Sequence, residues 1–168
     1  RRRYTSSDRL ISRTTLMLRE SFSNRLKNAL RAKDEDQVST LRMIIAALKD
    51  KDIAARSKGN YDGISNEEIL SLLQSMIKQR RESITLYEQG KRPELVAKER
   101  REIDIISHFL PQQMDDAAMA AAIDQVTAKL GATSIKDMGR AMAALKEQYA
   151  GQMDFAKASG LLKAKLSG

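Results

Sequence analysis

The sequence has no cysteine and no tryptophan, two prolines, one histidine, and aromatic residues at only 4%. Without cysteine there is no disulfide, zinc–thiolate site or thiol nucleophile. A cytoplasmic address is the expectation that fits. No apolar run approaches the roughly 20 residues that cross a bilayer, so no membrane partner is expected. With so few aromatics, any core must be built from Leu, Ile, Met and Ala, a mixture that suits helices and lacks the β-branched and aromatic runs of strands. No glycine-rich phosphate loop, nucleophile elbow or zinc-ligand spacing occurs. The residues therefore indicate no cofactor, no metal and no visible autonomous catalytic site.

What is present is 168 residues with 42% hydrophobic and 31% charged content, enough for a packed fold. The formal charge of +8 is unevenly placed, because residues 1–16 hold five Arg against one Asp and so carry half of it. That stretch, "RRRYTSSDRLISRTTL", shows no helical period and is Arg- and Ser-rich, as transit peptides are. It reads as an extraneous or disordered extension, with Met17 a plausible true start. The rest is mildly basic, less than extensive phosphate binding usually demands.

From residue 17 every segment reads as a helix. Leu18, Phe22, Leu26 and Leu30 form one apolar stripe. Val38, Leu41, Ile45 and Leu48 form a second, ending near Arg56. "SKGNYDG", residues 57–63, is a loop. Ser65 and Glu68 form a capping box, with Ile64 and Ile69 as a hydrophobic staple. The third stripe runs through Leu72, Leu73, Met76, Ile77, Ile84 and Tyr87 to Gly90, the residue expected to take the left-handed terminal conformation. Pro93 suits the first turn of the next helix, whose stripe is Leu95, Val96, Ile103, Ile106, Phe109 and Leu110. "GKRP" is thus a tight corner. Beyond Pro111 the helices shorten. Asp115 or Asp116 caps one that closes at Gly131. Ser134 and Asp137 start another, carrying Ile135, Met138, Met142, Leu145 and Tyr149. Asp154 caps the last, with Phe155, Ala158, Leu162 and Leu166 inward. The expected architecture is all-α: a four-helix domain over residues 17–110 and a small three-helix bundle over 111–168.

Candidate chemistry is sparse. His108, at a helix end, suits the dipole there better than acid–base work. The acidic groups Asp34–Glu35–Asp36, Asp50/Asp52, Glu67/Glu68 and Asp115/Asp116 fall mostly at helix starts, where carboxylates are stabilising. Met138 and Met142 read as core. "KQRRE" (78–82) and "KERRE" (98–102) mix acid with base, as solvated faces do. In the C-terminal part, Lys136 and Arg140 lie opposite the Met stripe, and Lys129, Lys146, Lys157, Lys163 and Lys165 are further bases. Lys and Arg without aromatic neighbours suit phosphate contact rather than base reading.

"STLRMIIAALKDKDIAAR", "MIKQRRESITLYEQGKRPELVAKERREIDIISHFLPQQM" and "KDMGRAMAALKEQYAGQMDFAKASGLLKAKL" closely resemble the bacterial YqeY-like proteins, from about Met17 to the end. The second half of that family is similar to the tail of the B subunit (GatB) of the tRNA-dependent amidotransferase, a carbon–nitrogen ligase that uses glutamine as amide donor. The resemblance implies the two-part helical fold. It also directs attention to Gly139, Arg140, Met142, Leu145, Gly151 and Asp154, with Gly139 permitting close packing, Gly151 and Asp154 shaping a turn, and the bases facing a ligand. The catalytic body of that enzyme has no counterpart here. The resemblance therefore implies an accessory role: binding tRNA, or an amidotransferase or tRNA synthetase, through Lys136, Arg140, Lys146, Lys157, Lys163 and Lys165. A protein-interaction module unrelated to tRNA is the alternative.

Overall fold

Capping chemistry sets most of the helix boundaries in the computed structural model, which describes the backbone of residues 6–168 and the side chains of residues 17–168. The helices are α1 (Ser6–Ala32), α2 (Glu35–Ser57), α3 (Asn66–Gln89), α4 (Pro93–Ser107), α5 (Asp116–Leu130), α6 (Met138–Tyr149) and α7 (Phe155–Ser167). A single 3-10 turn, Ile135–Asp137, leads into α6. Among the described residues there is no strand, so the chain is all-α. Asp34, Ser65, Asp115 and Asp154 each accept a backbone N–H three residues on, at the starts of α2, α3, α5 and α7. The capping box at Ser134 and Asp137 is complete.

The chain separates into two compact units, one ending at Leu110 and the other spanning Pro111–Gly168. In the first, Phe22, Leu41, Ile44, Ile69, Leu73 and Ile106 form a buried core, and Phe109 meets Phe22 edge to face at 4.8 Å. In the second, Met119, Ile123, Leu145, Met153 and Leu162 are buried, with Met138 and Met142 packed against them. The methionine stripe is therefore core, as its helical spacing predicts.

Four local expectations change. First, α1 begins at Ser6 rather than near residue 17. Once the apolar-faced turns after Met17 are nucleated, adding residues in front costs little, so a helix can extend past its stripe. Residues 1–5, and the side chains of 6–16, lie outside the described residues. Second, Leu30 is 47% exposed and Ala29 is buried in its place. A strict four-residue spacing drifts off a 3.6-residue face within three repeats. Third, Gly90 is not left-handed, having φ −81 and ψ 2. Lys91 takes that conformation at φ 55. Its N–H reaches the Glu88 carbonyl while the Arg92 N–H reaches that of Tyr87 at 2.9 Å, which is the Schellman closure with lysine in the left-handed slot. The α1–α2 corner repeats this, with Lys33 at φ 55 and the Asp34 N–H on the Ala29 carbonyl.

The fourth concerns the charged runs on α3 and α4. "KQRRE" and "KERRE" are not simply solvated faces, because Arg80 and Glu102 are each only 6% exposed. Arg80 Nε donates to Glu102 Oε2 at 2.9 Å and its Nη1 to the Met76 carbonyl at 3.1 Å. Both sit where apolar stripes pass, after Met76 and Ile77 on α3 and before Ile106 on α4. Facing one another, they neutralise what neither could bury alone.

Candidate functional site

All six C-terminal bases singled out by sequence are exposed. Three of them are tied to carboxylates. Arg140 Nη2 donates to Asp137 Oδ1 at 2.9 Å, one turn back. Lys157 Nζ meets Asp116 Oδ1 at 2.5 Å, and Lys165 bonds Asp124. The two lysines are eight residues apart, as are the two aspartates. The pairs thus form a ladder with α5 and α7 running in the same direction. Hydrogen bonding to Asp116 raises the Lys157 pKa. Backbone N–H groups of Thr133 and Ser134, then Arg140, lower that of Asp137.

Lys136, Lys146 and Lys163 are exposed and, among the described residues, make no ion pair. They come from the 3-10 turn, α6 and α7. At about 100° per residue, Lys146 is rotated roughly 120° from Arg140 on α6, and Lys163 roughly 160° from Lys165 on α7. The six bases thus point along several directions rather than one column.

The tail-like pattern is realised in part. Leu145 and Leu166 are core, Asp154 caps α7, and buried Gly151 has φ 75 and accepts a bond from Gln113. Gly139 does not serve close packing. It is exposed, and a Cβ there would meet nothing within 4 Å.

In the first unit the basic corner is structural. Lys91 and Arg92 are exposed, and the Arg92 side chain pairs with Glu94 at 2.7 Å. Pro93 opens α4 with its missing N–H at a position that needs no partner. His108 ends α4 and meets Phe109 edge to face. With Asn24, Arg25, Asn28 and Gln37 these two residues line an open depression of about 460 Å³. Within it, Arg25 donates to Gln37 and sits 5.6 Å over the Phe109 ring, and Gln37 donates to Asp34. Among the described residues no group of three His, Cys, Asp or Glu side chains is placed to hold a metal ion, and no helix is long and apolar enough to cross a membrane.

Sequence reasoning passed over a polar clasp at the entry to α3. Arg19 grips Asp52 through both oxygens, at 2.7 and 2.9 Å, and also reaches the Ile64 carbonyl at 3.2 Å. Asp52 accepts the Ile64 N–H at 2.9 Å. The Arg19 hydrogen bond holds the Asp52 carboxyl below its ordinary range. Gly63, at φ 87, makes room: a Cβ there would lie 2.9 Å from both Arg19 Nη2 and Asp52 Oδ1. The available signal was only a base on α1 and an acid late in α2, thirty-three residues apart, which no local pattern links.

Comparison with known proteins gives the family. The proteins named "Altered inheritance of mitochondria protein 41, mitochondrial" are similar to this chain. That of Saccharomyces cerevisiae is 33% identical over 110 residues, 66% of this chain and 55% of its own length. The Vanderwaltozyma polyspora protein is 27% identical over 143 residues, covering 81% of this chain and 72% of that protein. The Lachancea thermotolerans protein is 36% identical over 87 residues, 52% and 44% respectively. The chain thus spans about half the length of the Saccharomyces relative. The family model for Yqey-like protein matches residues 19–166, through both units, and the chain belongs to that family.

Proposed function

We propose that the chain acts as a binding accessory. Its two units serve as a helical domain over 17–110 and a tail-like domain over 111–168, and the second contacts tRNA or an amidotransferase-like partner without chemistry of its own. The observation that carries this is the set Lys136, Lys146 and Lys163, exposed and without ion pairs among the described residues. Lysines in that state displace the cations condensed on a nucleic acid when they meet its phosphates, and that release favours association. Arg140, Lys157 and Lys165 join by exchanging an exposed carboxylate for a phosphate.

A titration of tRNA binding against salt tests it. Binding weakens steeply with salt, and replacing Lys136, Lys146 and Lys163 by Ala flattens the slope by about 0.7–0.9 for each phosphate no longer neutralised. Absence of binding at low ionic strength overturns the nucleic-acid reading. A second reading, a protein-interaction module, is favoured by the near balance of charge over residues 111–168, where seven bases face six acids. Ile135 and Leu161 also stand exposed there. Affinity capture with and without nuclease separates the two.

A further inference from the structure

We propose that the outward face of α2 is a docking seam for an acidic amphipathic helix of a partner protein. The inward face of α2 is accounted for by buried Thr40, Leu41, Ile44 and Leu48. The opposite face is neither fully polar nor covered. Ile53 is 56% exposed and Ala46 is exposed beside it, while Met43, 45% exposed, forms the edge of the face where its Sδ accepts from Arg80 Nη2 of α3 at 3.7 Å. Met43, Ala46, Asp50 and Ile53 are spaced three, four and three, the stripe that packs against another helix.

Along one flank run Arg42, Lys49 and Arg56, each exposed and each seven residues from the next. Successive cations are therefore roughly 10.5 Å apart along the axis. Among the described residues none of the three forms an ion pair. Arg56 assists Asp52 through space, but the Asp52 oxygens are bonded to Arg19 and Ile64. The other flank is Ala54, which is exposed, and Ala47, which is half-buried against the first core. α2 thus offers an apolar ridge, one row of unpaired bases, and a single carboxylate, Asp50, within the ridge.

Charge complementarity selects the occupant. A second copy of this face would set base against base when antiparallel, and base against alanine when parallel. Phosphates would meet Asp50 and gain nothing from Met43 or Ile53. A helix with an apolar ridge, carboxylates at seven-residue spacing, and a base or amide opposite Asp50 satisfies every group. A polar residue within such a seam fixes register. The surface belongs to the first unit and does not rest on the tRNA reading, so either can fail without the other.

The test uses the full chain and a synthetic helical peptide of about 21 residues, with Leu on the ridge, one Asn to face Asp50, and Glu on both flanks. The control peptide carries Lys for Glu. The acidic peptide binds and the basic one does not. Ile53→Asp weakens binding about tenfold or more without changing the melting temperature, since the side chain is exposed. Changing Arg42, Lys49 and Arg56 together to Glu abolishes binding of the acidic peptide and confers binding of the basic one. The proposal is overturned if the acidic peptide fails to bind, or binds the Ile53→Asp protein equally well. It is also overturned if the face holds a second copy, shown by self-association that Ile53→Asp removes, or if tRNA displaces the peptide from the unaltered seam.

Discussion

Lys33 and Lys91 both stand at φ 55, in slots that glycine fills with less strain. Lys91→Gly is expected to stabilise the protein by about 1 kcal/mol, the cost of a left-handed side-chain-bearing residue, measured by denaturant unfolding. Lys33→Gly should act similarly. Gly63→Ala has the opposite sign, because φ 87 and two polar atoms at 2.9 Å leave no place for a methyl group. It should destabilise by more than about 1 kcal/mol. Sequence alone located the α3–α4 corner through Gly90 and Pro93. It could not say that the chain turns one residue after the glycine, because hydrogen bonds from Lys91 and Arg92 back into α3 decide that. The same holds for Gly139, whose surroundings belong to the tertiary fold.

At the scale of elements, ionic contacts tie helices together. Arg80 and Glu102 join α3 to α4 with both side chains buried. Arg80→Met alone leaves the buried Glu102 side chain without its ion-pair partner, and should cost about 3–5 kcal/mol in unfolding free energy. Replacing both with apolar residues should recover most of that loss. Arg19 and Asp52 clasp α1, α2 and the start of α3. Arg19 depresses the folded-state pKa of Asp52, so its stabilisation is complete above the ordinary aspartate value of about 3.9 and fades as pH falls through the lower folded value. In Asp52→Asn the stability profile below about pH 5 should be flatter than in the unaltered protein, by thermal melts across pH. The helices themselves were legible from caps and stripes. The charged runs misled because their composition matches a solvated face, and only the meeting of α3 with α4 shows which two members turn inward.

For the whole molecule, two separate cores predict separable unfolding. Leu162→Ala, at a fully buried position of the second core, should cost about 2.7–5 kcal/mol. In calorimetry of the full chain it should move one transition and leave the other in place. The candidate site is less legible than the fold. Charge counting nominated Lys136, Arg140, Lys146, Lys157, Lys163 and Lys165 together, yet the packing of α5 beside α7 gives Lys157 and Lys165 carboxylate partners forty-one residues away. The row Arg42, Lys49 and Arg56 on α2 carries no signal in the sequence alone, since its seven-residue spacing matters only once the opposite face is known to be buried. The amino-acid order by itself determined an all-helical chain, most of its caps and its family, because these follow from periodicity and near-neighbour hydrogen bonds. Tertiary structure alone decided which charges are buried, which are paired and which are left facing outward, because electrostatic partners are chosen by proximity in space, and proximity is set by how the helices pack.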